Sequence, residues 1–549
     1  RRRTIPRRSG PPSLARPANK DRRSRAAVGG FTLVELMVSI AIAVIIILGI
    51  EQVFSIASKT IGAGQSIGTM NRDDRALQSV LTSDFSSADT GSDCPAFMIR
   101  SGQAYAFESA SDAASASTPG DPTKDPNFTA TGGTIPVTFY NYRNHRIDRV
   151  AFFARNFFGR QTGGNDSGNT QFISPTTSNE AYIWYGHVAQ PDNYSISQST
   201  AGQAGGYCFD PGDNTYSVGS DKNDNNLYAS DWILGRAAII LDPLTTSDNS
   251  YITAATSDGD SLGPLSVFSK AADGKPVALY NSRYDQALTS IASFNQTLSA
   301  FTGTGGPYST WASGTSGSNW YTYLIGTPPS GSPELSGRFQ ASPYPIKVKS
   351  GTGPGGTSGL INSSLAHTFP IFVRGCTQFI VEYTGNFYTK DVNGNAVLTT
   401  NQNGSVSSPP DPTGALDFQM VNGVKQVRWY GFPRHTSGAS STSISPTTDV
   451  VPLGVFLKAS GVTTLPMFER FYAPTGSSIT WPPASPTLTG DLSGAVPSGA
   501  EYVAAWGPDT SADVNSPLPK MIRITLAMDD PNGNVATPQW FEYVINLNP

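Results

Sequence analysis

Gly29-Gly30-Phe31-Thr32-Leu33-Val34-Glu35-Leu36-Met37-Val38-Ser39-Ile40 opens the longest apolar run in the chain, which then carries no charge from Leu36 to Ile50. Phe31 to Ile50 as a helix would be about 30 Å long, enough to cross the hydrocarbon core of a bilayer. No second stretch of this kind occurs, so the sequence predicts a single span. Ahead of it, residues 1–30 hold nine Arg and Lys20 against Asp21, a net charge of +9. Basic residues flanking a span stay in the cytoplasm, which sends the rest of the chain outward. An ordinary secretory signal is cut after its apolar core. Here the small pair Gly29-Gly30 precedes that core, so a cut there leaves the anchor on the product.

Glu35 is the anomaly in the run. A carboxylate near the start of a membrane helix costs roughly 2.5–3.5 kcal/mol on insertion scales unless it finds a partner. In the first turn it complements the positive end of the helix dipole. A cut after Gly30 would expose an α-amino group on Phe31, one turn away. Between neighbouring helices, Glu35 would neutralise the Phe31 amine of the next subunit and so fix axial register.

Gly30-Phe31-Thr32-Leu33-Val34-Glu35 followed by an apolar helix resembles the cleavage and methylation motif of type IV prepilins and type II secretion pseudopilins. The resemblance implies that residues 1–30 are a basic leader removed by prepilin peptidase between Gly30 and Phe31. It also implies N-methylation of Phe31 and a role for Glu35 in assembly. The partners it implies are other pilins or pseudopilins, the peptidase, an inner-membrane assembly platform and the membrane itself. The implied location is the inner membrane, single-pass, with the N-terminus cytoplasmic and the body periplasmic, and then a filament that reaches the cell surface in the pilus case. Many major pilins carry a proline further along the mature helix, where this chain has Gln52; that departure argues for a minor subunit. The leader is long for such proteins and has no Met before Met37, which fits a truncated or wrongly extended reading frame.

The remaining 519 residues hold 27 basic and 40 acidic side chains, a net −13. A body of that sign repels phosphate backbones, so no nucleic-acid partner is expected. Charged residues are only 14% of the whole chain, while hydrophobic residues are 38% and aromatic ones 10%. That balance excludes a coiled coil, a fully disordered chain and a polytopic membrane protein. With 55 Gly and 41 Pro, it favours strands joined by long loops.

The expected fold class is α+β and pilin-like: a long N-terminal helix packed on an antiparallel sheet, with a β-rich body carrying long loop insertions. The helix covers about 31–88, its first half spanning the membrane, within a segment 31–89 that precedes a globular segment 90–549. Ala63, Ile67, Met70, Leu77, Leu81 and Phe85 form the apolar stripe that would meet the sheet. Gly62, Gly64 and Gly68 predict a kink or local melting. Strand signals lie at Ile135–Tyr140, Arg149–Ala154, Ala181–Val188, Trp232–Leu241, Ile371–Val373, Phe379–Tyr383, Lys425–Gly431, Met521–Met528 and Phe541–Leu547. Polar stretches at 108–133, 156–180, 190–230, 299–318, 326–359, 399–416 and 436–448 read as surface insertions. The order Phe379–Tyr383, Val427–Tyr430, Leu518–Leu526 resembles the late strands of PilW-like minor pilins and of the J-type minor pseudopilin.

No nucleotide-binding, zinc-protease or serine-hydrolase motif occurs, and the Gly-rich run 351–359 lacks the Lys that would grip a phosphate. His145, His187, His367 and His435 are widely spaced and read as structural or surface residues. No enzyme is expected, and no cofactor or metal. Asp391-Val392-Asn393-Gly394-Asn395 and Asp530-Pro531-Asn532-Gly533-Asn534 resemble part of a calcium loop but lack the closing Glu. Each reads first as a hairpin turn, since Asn-Gly favours left-handed backbone. Cys94, Cys208 and Cys376 allow three single pairings in an exported body. A Cys94–Cys208 bond would tie the helix end to an insertion. The function these readings favour is a structural subunit, a minor pilin or pseudopilin that initiates or caps a filament. The alternative is a filament-tip adhesin or substrate-binding module on the same anchor.

Overall fold

The computed structural model describes residues 32–90, 94, 96–107, 142–159, 177–188, 190–191, 208–209, 228–241, 286–287, 290–292, 371–402, 404–432, 450–462, 468–472, 501–507, 518–530, 535 and 538–547. The chain divides into two compact units, up to Gly62 and from Ala63 onward. Helix α1 (Leu33–Ser86) is unbroken, so Gly62, Gly64 and Gly68 are helical rather than melted. Each glycine costs about 1 kcal/mol relative to Ala in a helix, too little to break one that is otherwise supported. Up to Ile61 every described residue of α1 is exposed.

In the second unit α1 buries one face. Met70, Leu77, Leu81 and Phe85 recur at helical spacing and join the main core. Of the expected stripe, Ile67 departs: it is 41% exposed, and close packing starts one turn later, at Met70.

Along the chain follow β1 (Phe97–Ser101), β2 (Gln103–Phe107), β3 (Tyr142–Arg146), β4 (Arg149–Gly159), β5 (Thr177–His187) and β6 (Ile233–Leu241). Next come β7 (Ile371–Arg374), β8 (Cys376–Thr384), β9 (Phe418–Val421) and β10 (Val424–Val427). A short helix α2 (Leu453–Ala459) precedes β11 (Phe468–Tyr472), β12 (Glu501–Trp506), β13 (Met521–Met528) and β14 (Gln539–Asn546). The large sheet runs β7-β6-β5-β4-β1-β12-β11, antiparallel along this path, with Gln286–Ala287 adding a short parallel pair on β6. A second, three-stranded sheet is β8-β13-β14, also antiparallel. The α+β expectation, a long apolar N-terminal helix followed by a body of antiparallel sheets, is what the structure shows.

One core joins α1 to both sheets. Phe85 packs on Phe152 of β4 at 4.7 Å and on Tyr185 of β5 at 5.9 Å between ring centroids. From β14, Tyr543 donates its hydroxyl to Asp74 of α1. Tyr383, Phe387 and Trp506 then link the small sheet to the large one, with Tyr383 edge-on to Trp506 at 4.8 Å.

Most expected strands are present, and Met521–Met528 has the expected bounds. Expected Lys425–Gly431 is shorter as a strand, because pairing stops at Val427. Beyond it Tyr430 bridges to Tyr383, and Trp429 lies under the Arg523 guanidinium at 4.7 Å. Ile135–Tyr140 and most of the polar stretches lie outside the described residues.

Candidate functional site: the N-terminal segment

Thr32 is the residue before the first helical turn, and it exchanges hydrogen bonds with Glu35. The Glu35 backbone N–H donates to Thr32 Oγ1 at 3.3 Å. In return Glu35 Oε2 accepts the Thr32 backbone N–H at 3.0 Å and the Thr32 hydroxyl at 3.0 Å. This is a capping box: a Thr three residues before a Glu satisfies helix-end donors reciprocally. The first helical backbone bond follows, from the Leu36 N–H to the Thr32 carbonyl at 3.2 Å. Ser39 donates its hydroxyl to the Glu35 carbonyl at 2.8 Å, so its polar group is also satisfied within the helix. Thr32 thus has a role of its own in the motif, as the cap partner of Glu35. Its signal was the T-x-x-E pattern at the head of an apolar run.

Beyond this cap, from Leu36 to Ile50, the helix carries no charge and is exposed on every side. Leu33, Ile45, Phe54 and Ile61 are all more than half exposed, and the most apolar stretch buries nothing in the body. α1 is long and apolar enough to cross a membrane. An apolar surface this continuous is unstable in water and marks a segment made for lipid or for like helices. The arrangement can therefore insert, and it can pack against neighbours.

In the body, buried charges pin elements together. Asp84 of α1 accepts from Arg236 of β6, at 2.6 Å to Nε and 2.9 Å to Nη2, and from the Tyr185 hydroxyl. Asp148 pairs with Arg146 at 2.7 Å and accepts the Val381 N–H at 2.8 Å, joining the β3–β4 turn to β8. Glu469 of β11 accepts from Tyr383, Tyr502 and the Gly454 N–H, and burial pushes its carboxyl up. His187 donates Nε2–H to the Cys376 carbonyl at 2.7 Å, and burial holds its pKa down at about 4. These groups are enclosed by packed side chains.

Residues 25–50 match the family model of the prokaryotic N-terminal methylation motif. No curated protein and no solved structure matches the chain. The motif supports the pilin and pseudopilin class, and with it a structural role, membrane anchorage, processing by a prepilin peptidase and assembly with other pilins. Its 26 residues cover only the N-terminal segment. Within it the structure places Glu35 in the first turn of α1, while Gly30 and Phe31 lie outside the described residues.

Of the other candidates, Cys94, expected to pair with Cys208, is a free and buried thiol that desolvation pushes up; the Cys208 side chain is not among those described. Cys376 is also free and buried. His145 and His187 are buried and both lie edge-on to Trp232. His367 and His435 lie outside the described residues. Asp391 forms a turn: its Oδ1 accepts the N–H groups of Asn393 and Asn395 at 2.8 Å, and Gly394 takes φ +84. A Cβ there would meet the Phe418 carbonyl oxygen at 2.3 Å, so glycine is required. In the second D-x-N-G-N segment, residues 531–534 lie outside the described set. Among the described residues no group of three or more His, Cys, Asp or Glu is placed to hold a metal.

Proposed function

We propose that the chain is a minor pilin or pseudopilin that initiates or caps a filament, and that its nearest types are PilW-like minor pilins and the J-type minor pseudopilin. In this reading prepilin peptidase removes residues 1–30, Phe31 becomes the methylated N-terminus, and α1 anchors the body on the periplasmic side of the inner membrane. The observation that carries it is a capped apolar helix, exposed up to Ile61, that begins inside a prepilin-type motif and continues into a large β-rich body. In the membrane the Glu35 carboxylate sits at the headgroup level with its cap. On assembly it enters the helical core, where the amine of a neighbouring Phe31 is the available counter-charge. Leaving a desolvated charge unpaired there costs on the order of 3–5 kcal/mol.

Sequencing the N-terminus of membrane-extracted protein tests the processing step. The expected product starts at Phe31 and carries one methyl group. A mature chain that keeps Arg25, or that lacks residues 31–50, rules the reading out. Deletion tests the role: losing an initiating subunit stops filament assembly, whereas an adhesin is dispensable for it.

A further inference from the structure

The segment between β8 and Tyr430 folds back on itself around Lys390, which is nearly sealed from solvent, with side-chain exposures of 2% for Lys390 and 0% for Asp417. The ammonium sits 3.1 Å from Asp417 Oδ1 and 3.6 Å from Asp411 Oδ2. Asn386 Oδ1 at 3.1 Å, the Tyr388 carbonyl at 3.2 Å and the Ala415 carbonyl at 2.7 Å are also within hydrogen-bond distance and share its three N–H groups with Asp417. Aromatic rings close the site. The Tyr388 ring centroid lies 5.6 Å from Nζ, and the Tyr430 hydroxyl donates to Asp417 Oδ2 at 3.2 Å. The Phe387 N–H donates to the same oxygen at 3.3 Å.

We propose that Lys390 and Asp417 condense to an intramolecular amide, a cross-link that staples this segment at its base. Three features of the site favour it. Both groups are stripped of water, and a dehydrated ion pair recovers little of its desolvation cost. The pair is in contact, so the reaction is unimolecular and its partners are already placed. A second carboxylate, Asp411, lies beside the amine, held low by the Thr413 hydroxyl and N–H and therefore ionised.

Each step balances. A proton passes from Lys390 Nζ to Asp417 Oδ1 along their hydrogen bond, giving amine and carboxylic acid. Burial supports this transfer, since it raises the Asp417 carboxyl to about 7 against the pull of Lys390. Nζ then adds to Asp417 Cγ, forming the C–N bond. The Tyr430 hydroxyl and Phe387 N–H steady the oxygen that gains charge. Asp411 takes a proton from the nitrogen and returns it to the departing hydroxyl, which leaves as water. An ammonium and a carboxylate thus become one neutral amide and one water, with no oxidant or other reactant. The one remaining N–H has the Ala415 carbonyl as its nearest acceptor, and Asn386 Oδ1 keeps the Asp411 N–H at 3.1 Å.

Peptide mapping of the intact purified protein by trypsin and tandem mass spectrometry tests this. An acylated lysine resists trypsin, so the expected finding is no cleavage after Lys390. The expected peptide is the single uncut chain Gly375–Lys425, closed into a loop between Lys390 and Asp417 and one water lighter than its linear sequence. Lys390→Arg keeps the charge and cannot form this amide, so its peptides are linear. Asp411→Asn retains the reacting pair and slows linkage, leaving a mixture of the two cut linear peptides and the uncut looped one. Linear wild-type peptides with full cleavage after Lys390 overturn the proposal and leave an ordinary buried ion pair. The result is independent of whether the chain enters a filament.

Discussion

Because Glu35 closes a capping box with Thr32, a substitution there removes a helix cap as well as a charge. The two losses separate by choice of variant. Glu35→Gln keeps an oxygen for the Thr32 N–H and discards the charge, whereas Thr32→Ala keeps the charge and discards half of the cap. If the charge pairs with a neighbouring Phe31 amine, Glu35→Gln is as defective in filament assembly as Glu35→Ala. Thr32→Ala then assembles nearly normally, its cost confined to about 0.5–2 kcal/mol of helix-start stability. Cross-linking of each variant to partner subunits measures this, and equal assembly by wild type and Glu35→Gln removes the charge from the account. His187 offers a second test at this scale. Its folded pKa, about 4, lies below the ordinary 6.5, so the unfolded chain binds a proton that the folded one refuses. The contribution is fully favourable above pH 6.5, declines as pH falls and is spent near pH 4. The full swing is on the order of 3 kcal/mol. Buried Asp148 and Glu469 are shifted upward and drive stability the opposite way on acidification. The informative quantity is therefore wild type relative to His187→Gln in denaturant unfolding. That difference moves against wild type between pH 6.5 and pH 4, and a flat difference rejects a neutral buried imidazole.

At the scale of elements, α1 is two helices in chemical terms, and the point where it begins to pack divides them. Leu81 is fully buried in the core, whereas Ile67 is 41% exposed. Leu81→Ala is expected to cost about 2–5 kcal/mol in unfolding experiments, because it deletes buried methyl groups and leaves a cavity. Ile67→Ala is expected to stay within about 0.5 kcal/mol of wild type. A comparable loss at both positions means that the body holds the helix from Ile67 onward. This division was partly legible in the sequence: the stripe at Met70, Leu77, Leu81 and Phe85 has helical spacing. Ile67 fits the same spacing, and periodicity alone does not say where the sheet beneath it ends. Two inner strands of the large sheet, β1 and β12, are hard to read in the sequence for a related reason. Phe97–Ser101 and Tyr502–Trp506 are buried on both faces, so the alternation that betrays a half-exposed strand is absent. Helix α2 is likewise apolar and buried through Leu457, and at 7 residues it is too short to show a period. Strands with a solvent face, such as β14, could be read. The N-terminal motif was the most legible feature because membrane crossing imposes length and composition on contiguous residues. The buried ion pairs were illegible, since Asp84 and Arg236, or Glu382 and Arg523, meet only through the fold.

For the whole molecule, the residues that fold the body and those that anchor it do not overlap. The buried core begins at Met70, and every described residue up to Ile61 is exposed. The compact unit from Ala63 onward contains the core, both main sheets and the polar clasps at Asp84 and Asp74. A chain starting at Ala63 is therefore expected to fold unaided, losing only the frayed first turns of its helix before Met70. Its thermal unfolding should match that of the body in the detergent-extracted full chain to within a few degrees, because almost no buried apolar area has been removed. Removing the exposed run Leu33–Ile61 should also end its dependence on detergent. The same truncation abolishes membrane association and entry into filaments, since both belong to the deleted segment. Gel filtration, unfolding scans and membrane fractionation of the two forms decide it. A truncated chain that aggregates or unfolds well below the full-length protein shows that the apolar segment supports the body as well as carrying it. A truncated chain that still sediments with membranes places a second anchor in the body.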